Sequence, residues 1–171
     1  MTLSEQHSAM GKWMLIFAWV AGLALLVVVF DDQLEAQFNP NRKPISSTLQ
    51  GVSEVQLKQN RSGHYVSNGL VNNEAVVFLL DTGATHVSVP QRLAKRLNLT
   101  AGALYPVQTA NGIVQVAQTT IAQLSIGDIQ LFNVRASINP ADQSDEILLG
   151  MSALRQLEFT QKGEWLILRS L

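Results

Sequence analysis

Asp81-Thr82-Gly83 is the stretch of this chain best placed to do chemistry. Five apolar residues, Val76 to Leu80, run up to Asp81, and Thr82-Gly83 turns the chain directly after it. A carboxylate at the end of an apolar strand is costly unless water, a counter-charge or hydrogen bonds receive it. On the local residues two readings stand level. Asp81 is either a turn residue bonded to nearby backbone amides, or an acid–base group that a strand presents to a reacting molecule. Other chemistry-bearing side chains are sparse. There is no cysteine, and His7, His64 and His86 lie too far apart for ligand spacing, so no metal and no cofactor is expected. Catalysis would fall to carboxylates and hydroxyls. With 12 basic and 13 acidic residues the net charge is −1, which gives no electrostatic case for nucleic acid.

The rest of the 171 residues must position that carboxylate. Residues 1–12 are short and polar. Trp13 to Phe30 is an uncharged run of 18 residues, about 27 Å long as a helix, which matches the apolar thickness of a bilayer. Trp13 suits an interfacial anchor. A cleaved signal peptide is the rival, but its apolar region usually runs about 7–15 residues and ends in a small-x-small site. Leu34 and Ala36 make a poor one, so an uncleaved transmembrane helix over 13–30 is the better reading. Lys12 before the span places the N-terminus in the cytoplasm and the rest outside it, although Arg42 and Lys43 on the far side weaken that bias. Residues 31–50 have no apolar period and contain Pro40, Pro44 and Ser46-Ser47-Thr48, the composition of a linker.

From Gly51 to Leu171 short β-type runs alternate with turn signals, which predicts a compact all-β domain. Strands are expected at 52–57, 64–71, 75–80, 105–110, 113–120, 121–126, 129–138, 147–149, 158–161 and 165–169. Asn72-Asn73 and Asn111-Gly112 read as hairpin turns. Pro90 to Leu99 reads as a short amphipathic helix and Met151 to Gln156 as a helical turn. One echo stands out. Phe78-Leu79-Leu80-Asp81 before a turn and helix is matched by Ile147-Leu148-Leu149-Gly150 before a helix. A duplicated unit with the carboxylate in one copy, and chance similarity of two apolar triplets, both explain it.

Three elements in order carry a resemblance: Asp81-Thr82-Gly83-Ala84-Thr85 after an apolar strand, Thr109-Ala110-Asn111-Gly112 at a hairpin, and Ile147-Leu148-Leu149-Gly150-Met151 before a helix. Residues 51–171 thereby resemble a retropepsin-like aspartic protease, of the membrane-anchored bacterial type with a single Asp-Thr-Gly. The resemblance implies a closed retropepsin-like β-barrel with one or two short helices. It implies Asp81 as the catalytic residue, with Thr82, Gly83, Ala84 and Thr85 supporting its loop. Thr109, Ala110, Asn111 and Gly112 would form the flap over substrate, with less glycine than flaps of the family usually carry. Leu149 and Gly150 would be the second-half loop.

Peptide hydrolysis by carboxylates needs one group as base for water and one as acid for the carbonyl oxygen. Two carboxyls about 3 Å apart share one proton and titrate as a pair. With one Asp-Thr-Gly, a single chain holds half of that pair. The expected unit is therefore a homodimer with Asp81 from each copy on the two-fold axis, acting on polypeptide at a membrane, outside the cytoplasm, which is the periplasm if the cell is Gram-negative. In the family terminal strands help form the dimer, which makes 165–171 and 52–57 interface candidates; the alternative is that they close their own barrel. Two other functions compete. Phosphoaspartyl enzymes of the haloacid dehalogenase type resemble Asp-x-Asp-x-Thr or Asp-Lys-Thr-Gly-Thr at their site, whereas Gly83 stands two after Asp81 here. A non-catalytic peptide-binding or scaffold module on the same fold has no need of Asp81, Thr82 and Gly83 together.

Overall fold

The computed structural model describes residues 3–109 and 112–171, with side chains from Gly11 onward other than Asp32. The chain divides after Gln37 into two compact units. The first lies within helix α1 (Leu3–Phe38). Every side chain from residue 11 to 30 is exposed, and the helix is long and apolar enough to cross a membrane. Exposed apolar residues on all sides leave no polar face for water, the composition shared by a membrane span and a signal sequence.

Among the described residues the second unit contains eleven strands. They are β1 (Ile45–Leu49), β2 (Val52–Lys58), β3 (Tyr65–Val71), β4 (Glu74–Leu80), β5 (Val87–Pro90), β6 (Leu104–Thr109), β7 (Gly112–Ile126), β8 (Ile129–Asn139), β9 (Glu146–Leu149), β10 (Leu157–Lys162) and β11 (Trp165–Ser170). Two four-residue helices, α2 (Gln91–Ala94) and α3 (Met151–Leu154), follow β5 and β9. One sheet runs β1-β2-β11-β10 and the other β3-β4-β9-β5-β8-β7-β6. The barrel is thus built as two sheets, not as one continuously closed ladder. The larger sheet curls until β3 meets β7, where Leu70 pairs with Ser125 and Val71 with Leu124. Gly69 permits that approach, since a Cβ there would lie 2.3 Å from the Ser125 carbonyl oxygen and 2.5 Å from the Phe78 ring.

Alternation explains the core. Leu57, Phe78, Ile121, Ile147, Leu149 and Leu168 are fully buried and come from both sheets. Each such side chain contributes about 1.5–3 kcal/mol of burial. At the Asn72-Asn73 hairpin both residues take positive φ, 49° and 68°, the geometry of the turn that matches strand twist.

Three expectations are redrawn. The helix predicted over 90–99 is confined to Gln91–Ala94 and the chain then turns through Asn98, at φ 56°. Its apolar positions are still used, and Leu97 is fully buried. The strands expected at 113–120 and 121–126 are one, β7, because no turn residue separates Thr120 from Ile121. Residues 31–50 do not form a continuous linker: helix runs to Phe38, and β1 pairs with β2 from Ile45–Gln56 to Leu49–Val52.

Two asparagines tie that segment down. Asn39 and Asn41 are only 5% and 4% exposed. Asn41 Nδ2 donates to the carbonyls of Val66 (2.7 Å) and Lys58 (2.9 Å), and its Oδ1 accepts the Lys58 amide at 2.6 Å. Asn39 Nδ2 donates to Asn68 Oδ1 at 2.8 Å. A polar clasp of this kind leaves no apolar period to read.

The strands proposed for dimerisation, 52–57 and 165–171, lie inside the smaller sheet, where β11 pairs with β2 and β10, and β2 with β1. They close their own sheet, and its free edges are β1 and β10. Arg169 Nε donates to Glu54 Oε2 at 2.7 Å across β2 and β11. Hydrogen bonds from Gln56 and then Arg169 hold the Glu54 carboxyl below its ordinary 4.5. Its contribution to stability is complete above that value and is lost as the pH falls through the lowered one.

Asn41→Ala should cost roughly 1–3 kcal/mol in urea unfolding, because it removes the partner of the buried Val66 carbonyl and of the part-buried Lys58 amide and carbonyl. A change below about 0.5 kcal/mol would show that the clasp is not holding this segment.

Candidate active site

The two apolar triplets that echo one another in sequence lie side by side. β4 and β9 run parallel in register, with Phe78 beside Ile147, Leu79 beside Leu148 and Leu80 beside Leu149. Their ends therefore place Asp81 and Gly150 at equivalent positions. The Asp81 amide donates to the Leu149 carbonyl at 3.1 Å, and beyond the strands the Met151 and Ser152 amides donate to Ala84 (2.8 Å) and Thr85 (3.0 Å). The Asp loop is thus strapped by three backbone hydrogen bonds, one to the end of β9 and two to the start of α3.

Asp81 itself is exposed. Its Oδ1 accepts the Gly83 amide at 2.8 Å, which orients the carboxylate and leaves its other oxygen to solvent or a ligand. That bond is also what an Asx turn makes, so the bond alone does not separate the two sequence readings. Thr82, Gly83 and Thr85 are exposed and Ala84 is half-buried. Ser152 steadies the far end of the loop: its Oγ accepts the Val87 amide at 3.0 Å and donates to the Arg135 carbonyl at 2.6 Å.

Gly150 carries the sharper information. A Cβ there would lie 2.4 Å from the His86 carbonyl oxygen and 2.7 Å from that of Ala84. No side chain fits, so this chain cannot carry a second carboxylate at the equivalent position. The backbone packing that straps the Asp loop excludes it.

A cleft of about 560 Å³ opens over Asp81, a size suited to a ligand. Leu79, Leu148 and Ser88 line it from the strands, and Tyr105, Val107 and Thr109 line it from β6. The β6–β7 hairpin, expected as the flap, therefore does face the Asp loop across a cavity. Thr109 pairs with Gly112, and Thr109 Oγ1 donates to the Gly112 carbonyl at 2.8 Å. The other two flap candidates, Ala110 and Asn111, lie outside the described residues. His86 also lines the cleft and is half-buried.

Sequence reasoning missed Tyr105, Val107, Ser88 and Leu148 as cleft residues. Strand alternation carried the signal, since each is the half-buried neighbour of exposed or core residues, but alternation does not say which face is hollow.

A family model described as "gag-polyprotein putative aspartyl protease" matches residues 67–156, just over half of the chain. An uncharacterized protein in the cobV 5′ region of a Sinorhizobium species is 33% identical over 135 residues, 77% of this chain and 58% of that protein. The uncharacterized protein RP867 of Rickettsia prowazekii (strain Madrid E) is 28% identical over 110 residues, 63% of this chain and 47% of the relative. The chain spans about half the length of the curated relatives it matches. Among solved structures, a retropepsin-like aspartic protease from Rickettsia conorii superposes with a TM-score of 0.57 at 29% identity, covering 75% of this chain and 95% of that one. Fold and Asp loop together define a retropepsin-like aspartic protease, and the chain belongs to that family.

Gly150→Ala should destabilise the domain by about 1–3 kcal/mol or prevent its folding, because backbone and not a movable side chain blocks the new methyl group. A thermal midpoint equal to that of the wild type would contradict the close packing.

Proposed function

We propose that the protein is an aspartic endopeptidase that works as a homodimer, with Asp81 from each copy forming the catalytic pair. The observation that carries this reading is the single carboxylate at the end of β4, set in register against a glycine that cannot be replaced. A site that needs two carboxyls and holds one is completed by symmetry.

In the dimer one Asp81 takes a proton from water as its oxygen adds to the scissile carbonyl carbon. The other Asp81, protonated, gives its proton to the carbonyl oxygen. Collapse of the tetrahedral intermediate breaks the C–N bond, and the amine leaves with a proton from the pair. Gly83 holds the carboxylate through its amide. Thr82 would bond across the two-fold axis and join the two loops, while Ala84 and Thr85 pack and orient them. The hairpin carrying Thr109 to Gly112 covers an extended polypeptide and bonds its backbone as an added strand.

The apolar helix supports membrane anchoring through residues 13–30; the orientation in the proposal, with residues 1–12 cytoplasmic and the protease domain extracytoplasmic, rests on Lys12 before the span. Confinement of both copies to one surface raises their effective concentration and favours the dimer. No cofactor takes part in the scheme.

The test uses the full chain in detergent micelles, a diverse peptide pool and a range from pH 3 to 7. Asp81→Asn should lose roughly 10²–10⁴-fold in rate with unchanged circular dichroism and sedimentation. Equal cleavage by both forms would sink the mechanism. Peptide binding by the wild-type dimer without hydrolysis would leave a binding module in its place.

A further inference from the structure

The wall of the cleft nearest Asp81 has a graded chemistry along β9. Ile147 and Leu149 point into the core and are fully buried, whereas Glu146 and Leu148 line the cleft and are half-buried. Leu148 is in register with Leu79, which also lines the cleft and lies two residues before Asp81. The floor beside the catalytic position is therefore apolar. Two residues further out along the strand, about 7 Å between Cα positions, stands the acidic Glu146. An apolar floor ending in a carboxylate at that distance fits a long aliphatic stem with a cationic head, the shape of a Lys or Arg side chain.

The surrounding charges sharpen the match. Among the described residues no cation pairs with Glu146. Arg92 reaches the same loop, but its Nε donates to the Ser144 carbonyl at 3.0 Å and its guanidinium is taken by Asp145. Among the described residues no Lys or Arg lines the cleft, whereas Asp142 does, its Oδ1 held by the Ser144 amide at 2.9 Å. The field in the cleft therefore favours cations and disfavours acidic side chains.

Resting on the protease reading above, we infer that Glu146 makes the cleft selective for polypeptides that place a Lys or Arg side chain close to the scissile bond. Glu146 acts on which substrate is received, and Asp81 on the bond that is broken.

The test takes cleaved peptides from the pool and remakes them as matched sets, with Lys, Arg, Gln or Glu at each position within three residues of the cut. At one of those positions the wild-type full chain should prefer Lys or Arg over Gln by about three- to tenfold in kcat/KM at low salt. The preference should shrink as ionic strength rises. Glu146→Gln should bring the Lys-to-Gln ratio close to one, and Glu146→Lys should turn the preference towards Glu. Binding of the same sets to the Asp81→Asn chain, read by fluorescence anisotropy, should show the same ratio and the same collapse on adding Glu146→Gln. This second readout separates the two claims. If the wild type cuts nothing, random pool members remade in the same way serve for binding; a Lys preference that depends on Glu146 then defeats hydrolysis and upholds the selectivity. Equal handling of Lys and Gln peptides at every position, or a ratio untouched by Glu146→Gln, overturns the inference.

Discussion

The parallel contact between β4 and β9 is the constraint on which the site rests. It brings two apolar triplets into register, packs Phe78 beside Ile147 in the core, and ends both strands at the same level. At that level one strand offers a carboxylate and the other a glycine. Close backbone packing makes the asymmetry obligatory, because a Cβ at position 150 would collide with two carbonyl oxygens. Interiors packed to crystal density do not absorb such a contact cheaply. The Ala84 carbonyl that helps strap the Asp loop is thus also one of the two that keep a second acid out of position 150.

The remaining elements can be understood from this contact outward. β5 lies beside β9 and continues through β8 and β7 into the hairpin that faces the Asp loop. Gly69 lets the sheet curl until β3 meets β7, which gives the cleft its hollow side. The smaller sheet covers the core with Val55, Leu57 and Leu168, and its inner strands are satisfied within the chain. Its edges, β1 and β10, are where unpaired strand remains for another chain to meet. The floor of Leu79 and Leu148 and its edge at Glu146 follow two-residue alternation along β4 and β9, which run in register.

Most strands were legible in the sequence, since alternating apolar residues between Asn and Gly turns admit little else. The echo between Phe78-Leu79-Leu80 and Ile147-Leu148-Leu149 was legible too, and it proved to be a physical contact in register. What escaped was held by polar groups. Asn39 and Asn41 anchor the segment before β1 through side-chain bonds to backbone, a device with no hydrophobic period. Gly150 reads in sequence as a missing acid, and only the carbonyls of Ala84 and His86 show why it is glycine. The cleft residues Tyr105 and Val107 lie on an alternating strand, but which face is hollow depends on strands far away in the chain.

The central claim is that Asp81 works only beside its own copy, and mixing two chains tests it most directly. Wild type and Asp81→Asn are combined in equal amounts at fixed total concentration and allowed to exchange subunits. If each site needs Asp81 from both copies, only wild-type pairs cut, and activity falls to about one quarter of that of pure wild type. Activity that falls only to about one half, in proportion to wild-type chain, would mean that each chain carries a complete site and would contradict the account.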